Sequence, residues 1–172
     1  VKLSLLDLQH NKLETIHPFG KEVHIVKCYL DYNKLKSIPH AADGFFFGYN
    51  GETETISCNH NEIELFPDVF NAKSNYVISS ISFAYNKIRG FENGDAHKGV
   101  NTSSIDLSYN QLETFPAVLI AKGSPLNSLT LPGNGMKSIP KGAMTGPKSK
   151  MIQVLDLSYN KLSSLPDDFL PT

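Results

Sequence analysis

The chain has 172 residues, is 40% hydrophobic, and carries 16 Lys and Arg against 17 Asp and Glu, for a formal charge of −1. That length suffices for one domain with a substantial core, and the near-neutral charge removes any global attraction to phosphate backbones or anionic lipid, so no nucleic acid is expected as a partner. The longest apolar runs, such as that around Phe45–Phe47, fall far short of the ~18 residues of a membrane span, so no span is expected either.

Taken in chain order, one pattern recurs. The opening stretch "LSLLDLQHNKL" places Leu6 and Leu8 on one face of a strand, then Asn11, then Leu13 and Ile16 at wider spacing. Apolar residues at five and three before an Asn, and at two and five after it, are found again around Asn33, Asn61, Asn86, Asn110, Asn134 and Asn160. The near-identical pair "IDLSYNQLETFP" and "LDLSYNKLSSLP" are the fifth and seventh members of this series. With 14 asparagines and this hydrophobic content, chance gives about 0.4 full matches, so seven is a signal. The intervals of 22, 28, 25, 24, 24 and 26 residues exclude a heptad and indicate a solenoid of seven coils. Within each coil the alternation before the Asn predicts a strand with two inward residues. Pro39, Pro67, Pro116, Pro140 and Pro166 then fix an extended exit, with Glu92 in the fourth repeat where these five others have Pro. Returning segments such as "PDVFNAKSN" and "PAVLIAKGSP" are read as short helical turns or loops.

These residues resemble the leucine-rich repeat pattern L-x-x-L-x-L-x-x-N-x-L. "LSLLDLQHNKL" (Leu3–Leu13) meets it, "LNSLTLPGNGM" (Leu126–Met136) meets it with Met136 in the last slot, and "IQVLDLSYNKL" (Ile152–Leu162) meets it with Ile152 in the first. The resemblance covers essentially the whole chain, although Cys28 and Cys58 replace leucines and the repeat lengths are uneven. It implies an α/β leucine-rich-repeat solenoid, a curved right-handed superhelix. The parallel β-sheet would lie on the concave face, with short helices, 3-10 turns or loops on the convex face. The domain is expected to be single, 1–172, with seven repeats of 22–28 residues, and to be a segment of a longer protein of bacterial surface or secreted type. The reasons for the last expectation are an apolar start and an apolar end without a polar covering coil. The asparagines Asn11, Asn33, Asn61, Asn86, Asn110, Asn134 and Asn160 are expected to form a ladder, each amide serving backbone groups of its own coil and the next.

Signals for chemistry are weak by comparison. Cys28 falls in the first inward slot of coil two and Cys58 in the second of coil three, a diagonal of about 8 Å, beyond the ~7 Å reach of a disulfide. Both are expected to be free and buried. The six histidines (His10, His17, His24, His40, His60, His97) show no ligand spacing, so no metal is expected. No G-x-S-x-G elbow is present, "LPGNGMK" lacks the Lys-Ser/Thr of a P-loop, and "ENGD" (Glu92–Asp95) reads as an Asn-Gly turn. The chain is therefore not expected to be an enzyme, and no cofactor is expected.

What remains is the outward side of the strands. Alternation sends Asp7, Tyr29, Ser57, Ser82, Asp106, Thr130 and Asp156 into one column. The residues just before each ladder Asn form another: His10, Tyr32, His60, Tyr85, Tyr109, Gly133 and Tyr159. Rows of Tyr are common interface anchors, and they also suit a half-exposed site that shields the ladder. About 28 outward positions match the ~20–30 residues a side of a standard protein interface. The expected function is thus a protein–protein interaction module that binds across the concave face. The candidate contact residues are Tyr29, Tyr32, His60, Tyr85, Asp106, Tyr109, Asp156 and Tyr159. A glycan-binding or adhesion module, with Tyr85 and Tyr109 as stacking platforms, and a regulatory or scaffold portion of a larger enzyme are the alternatives. The resemblance points to an extracellular or cell-surface setting, with the cytoplasm as the other.

Overall fold

A computed structural model describes residues 1–20, 22–39, 53–70, 77–122, 126–146 and 148–170. The central part of the long excursion after Pro39, including Phe45–Phe47 and His40, lies outside the described residues.

Seven strands build one parallel sheet: β1 (Lys2–Asp7), β2 (His24–Tyr29), β3 (Thr55–Ser57), β5 (Ser80–Ser82), β7 (Ser104–Asp106), β8 (Ser128–Thr130) and β9 (Val154–Asp156), adjacent in that order. Every strand ends four residues before its asparagine, so the register follows the repeat. Leu6 pairs with Cys28, Cys28 with Ile56, Ile56 with Ile81, Ile81 with Ile105, Ile105 with Leu129 and Leu129 with Leu155. This is the first inward column. The second, two residues on, runs through Leu30, Cys58, Phe83, Leu107 and Leu131. From coil two to coil six no member of either column is more than 1% exposed. A coil this thin cannot bury an apolar face by itself, and stacking removes that surface from water at ~25 cal/mol per Å². Cys28 lies opposite Ile56 while Cys58 sits two residues further along, and both thiols are free and buried. Burial pushes the Cys28 thiol up to about 12 and raises Cys58 as well.

The return segments are irregular, as their Gly, Ser and Pro content leads one to expect. Coil five returns through the short helix α1 (Ala117–Ala121), entered from Pro116. Two 3-10 turns, Gly94–Ala96 and Ser149–Met151, serve coils four and six. A second parallel pair was not legible in the repeat: β4 (Leu65–Phe66) with β6 (Gly90–Phe91). Glu92 accounts for its continuation. Its backbone N–H donates to the Phe66 carbonyl at 3.0 Å, a bond that the Pro of the other repeats cannot make. Its carboxylate Oε2 accepts the Asp68 N–H at 3.0 Å. The departure from Pro thus marks the place where two return segments pair.

Candidate functional site

Where each strand stops, the chain must turn inside three residues to bring its asparagine over the core. It does so through a left-handed residue directly before the asparagine: φ is 54° at His10, 56° at Tyr32, 53° at His60, 55° at Tyr85, 54° at Tyr109, 67° at Gly133 and 53° at Tyr159. Such a conformation costs a non-glycine residue of order 1–3 kcal/mol. Repeating it at one position throws the side chains of successive coils into a single row, and the rings stack. Centroids are 4.3 Å apart for His10–Tyr32, 4.2 Å for Tyr32–His60, 4.3 Å for His60–Tyr85 and 4.7 Å for Tyr85–Tyr109, with interplanar angles of 7–10°. Stacked pairs of this kind contribute about 0.5–1.5 kcal/mol each beyond area burial, which offsets the backbone strain. Tyr32, Tyr85 and Tyr109 remain 42–46% exposed. His60, expected to face solvent, is half-buried between two tyrosines.

The asparagines lie beneath this row. Asn110 shows the arrangement of the interior ones: its Nδ2 donates to the carbonyls of Phe83 (2.9 Å) and Leu107 (3.1 Å), and its Oδ1 accepts the Ile88 N–H at 2.9 Å. Asn33, Asn61, Asn86, Asn134 and Asn160 repeat this set with their own neighbours. The partners are the asparagine's own coil and the preceding one, not the next. The reason is the turn, which aims the amide back at carbonyls and N–H groups freed where the preceding strand ended. Asn11, in the first coil, bonds only within its own coil, to the Leu8 and Gln9 carbonyls.

The outward face of the sheet is tied down by hydrogen bonds of its own. Asp31 Oδ1 accepts from Ser57 Oγ and from the Asn59 N–H, both at 2.7 Å. Asn59 Oδ1 accepts from Ser82 Oγ at 2.6 Å and from the Ala84 N–H at 2.7 Å. Asp106 accepts from the Ser108 hydroxyl and N–H, and Asp156 from the Ser158 N–H at 2.9 Å. The Ser158 hydroxyl, and then its N–H, hold the Asp156 carboxyl below its ordinary range. Asp31 and Asn59 escaped sequence reasoning. Their signal is a carboxylate or amide two residues before the ladder Asn, one place beyond the columns that alternation picks out. Register sets Asp7, Tyr29, Ser57, Ser82, Asp106, Thr130 and Asp156 side by side. Tyr29, Asp106 and Asp156 therefore share one column, and Tyr32, His60, Tyr85 and Tyr109 share the ring stack. Tyr159 stands apart at 81% exposure. Ala84 and Ser108, which strand alternation would carry to the outward side, are buried instead.

A titratable cluster lies among the return segments. His97 is fully buried; its Nε2–H donates to the Pro67 carbonyl at 3.2 Å and its Nδ1 accepts the Gly99 N–H at 3.0 Å, which defines the neutral tautomer. Asp68 lies 3.7 Å from Nδ1 and accepts from the Lys98 N–H and from Asn93 Nδ2. Desolvation lowers the His97 pKa, against the opposing pull of Asp68. The set is closed to solvent and reads as a structural clamp. Among the described residues no three His, Cys, Asp or Glu side chains gather as a metal site, and no helix is long and apolar enough to cross a membrane.

A family model for the Leucine Rich Repeat matches residues 151–171. The chain is 30% identical over 137 residues to the human leucine-rich repeats and immunoglobulin-like domains protein 1, covering 80% of this chain and 12% of that protein. Among solved structures, a leucine-rich repeat protein from Bacteroides eggerthii superposes with a TM-score of 0.84 at 37% identity, over 95% of this chain and 28% of that one. Another, from Bacteroides thetaiotaomicron, gives 0.85 at 38% identity, over 97% and 21%. The chain thus spans less than a third of each of these relatives. Repeating coils, asparagine turns and these likenesses converge on a repeat-built interaction module: the chain belongs to the leucine-rich repeat family.

Proposed function

We propose that the chain binds a protein partner across the concave sheet face, with the ring row as the principal contact, and that it acts by binding rather than catalysis. The observation that carries this reading is the five-ring stack, half-exposed yet held in one orientation by backbone and neighbours. An aromatic surface already ordered before encounter loses little side-chain entropy on binding, which removes one of the costs of association. Beside it, Ser80, Ser82, Ser104, Ser128 and Thr130 offer a flat, uncharged strip. The stack disfavours the glycan alternative: both faces of Tyr85 are covered by His60 and Tyr109, so it has none to lay against a sugar ring. The bacterial neighbours support a bacterial source, and a surface or secreted setting is part of the same proposal.

The test uses glycine rather than alanine, because coil six already carries Gly133 at this position and Ala would add left-handed strain. Tyr85→Gly with Tyr109→Gly should abolish capture of the partner while the chain still folds cooperatively. Capture that survives this pair, or binding to a panel of immobilised glycans with no protein partner found, would overturn the proposal.

A further inference from the structure

The ring row has one gap. Coil six carries Gly133 where its neighbours carry Tyr109 and Tyr159. A β-carbon there would meet the Tyr109 ring at 3.0 Å or less, so Tyr109 leans into the vacancy. On the far side Tyr159 is 81% exposed, against 42–46% for the stacked tyrosines, and no ring stacks on it among those described. Two strand spacings of ~4.8 Å separate the flanking coils, which is room for one planar group between two ring faces once Tyr109 stands upright. The charge beside the gap is negative. Asp106 and Asp156 flank Thr130 in the adjoining column. Each uses Oδ1 on the serine two residues on, and Oδ2 takes no part in these bonds. The outward strand positions of coils five to seven (Ser104, Asp106; Ser128, Thr130; Val154, Asp156) carry no Lys or Arg. Lys161, the basic residue that follows, comes after the ladder asparagine.

We infer that the gap at Gly133, between Tyr109 and Tyr159, receives an arginine guanidinium presented by the protein partner. The guanidinium is planar and cationic, stacks on aromatic faces and pairs with carboxylates, so it satisfies both the slot and its charge. An ammonium has the charge without the plane, and an uncharged ring has the plane without the charge. This site rests on the sheet-face reading above and names the chemistry of the contact.

The isotope-labelled chain is titrated with N-acetyl-argininamide while the Gly133 amide and the Tyr159 ring resonances are followed by NMR. Saturable shifts are expected, with N-acetyl-lysinamide and N-acetyl-tyrosinamide weaker by about tenfold at equal ionic strength. Gly133→Tyr fills the slot. Five Tyr and His residues already adopt the same left-handed turn beside a stacked ring, so this variant should still fold cooperatively once the Tyr109 ring withdraws from the added β-carbon, and lose the response. Tyr159→Ala, at an exposed position, should also weaken the response by about tenfold. Equal shifts from the lysine or tyrosine probe, or an undiminished response in folded Gly133→Tyr, would overturn the site. If those arms fail while Tyr85→Gly with Tyr109→Gly still abolishes partner capture, the arginine site alone is overturned. If the probe binds at the gap and capture ignores the tyrosine pair, the site stands and the ring row is not the principal contact.

Discussion

Asn110 closes four backbone bonds with one amide, and its partners Phe83, Ile88, Leu107 and Ser108 are all buried. Asn110→Ala is therefore expected to lower stability by ~1–3 kcal/mol, the cost of leaving buried groups unpaired. Asn11→Ala should cost less, since Asn11 is exposed and bonds only within its own coil. Chemical denaturation of the two variants against the parent checks both. His97 supplies a pH test. Its folded pKa lies below the ordinary 6.5, so the unfolded chain takes up the proton more readily. The stability this provides is complete above pH 6.5 and is lost as pH falls through the lower folded value. Melting temperature should drop between pH 7.5 and pH 5, and His97→Gln should flatten that dependence. A parent whose melting temperature is level across this window would contradict a neutral, buried His97. At this scale the ladder positions were legible because one residue type recurs with fixed apolar neighbours. The His97 clamp was not, because Pro67 and Asp68 sit in coil three and His97 in coil four, and nothing in their spacing announces that they meet.

Strands and return segments differ in how well the letters describe them. Two alternating apolar residues before an Asn suffice to specify each main strand and its register. The β4–β6 pair depended on a departure from the pattern, the loss of Pro at Glu92. Glu92→Pro would restore the repeat's own residue yet remove the N–H bond to Phe66 and the carboxylate bond to Asp68. It is expected to destabilise by ~1–3 kcal/mol. Hydrogen exchange should show faster amides at Gly90 and Phe91, while the main strands are unchanged. A variant as stable as the parent would make the small sheet incidental.

Across the whole molecule, burial is highest in the middle coils. Ile105 and Leu129 are fully buried, whereas Leu6 and Leu155, in the same inward column, are only partly so. Ile105→Ala should cost ~2–5 kcal/mol and Leu155→Ala distinctly less, because a cavity forms only where neighbours enclose it on all sides. Denaturant midpoints of the two variants test this gradient. The thiols test the register of the stack. Mass spectrometry should find two alkylatable cysteines after denaturation without reductant, and very slow labelling of the native chain, since burial keeps Cys28 and Cys58 protonated. A mass two units short with no label would place the cysteines in contact and shift the register by a residue.

The sequence by itself determined the coil count, the inward columns, the asparagine positions and the family, because each is a local pattern repeated at nearly constant spacing. It also placed His60, Tyr85 and Tyr109 at equivalent positions. What it left open was how equivalence becomes geometry. Only the tertiary structure decided that the residue before each Asn turns left-handed, that five rings thereby close face on face, and that the asparagines reach back rather than forward. The physical reason is that these are relations between coils. Stacking distance, the direction of an amide and the gap at Gly133 depend on the ~4.8 Å spacing of neighbouring strands and on the turn between them. None of these is written in any one repeat.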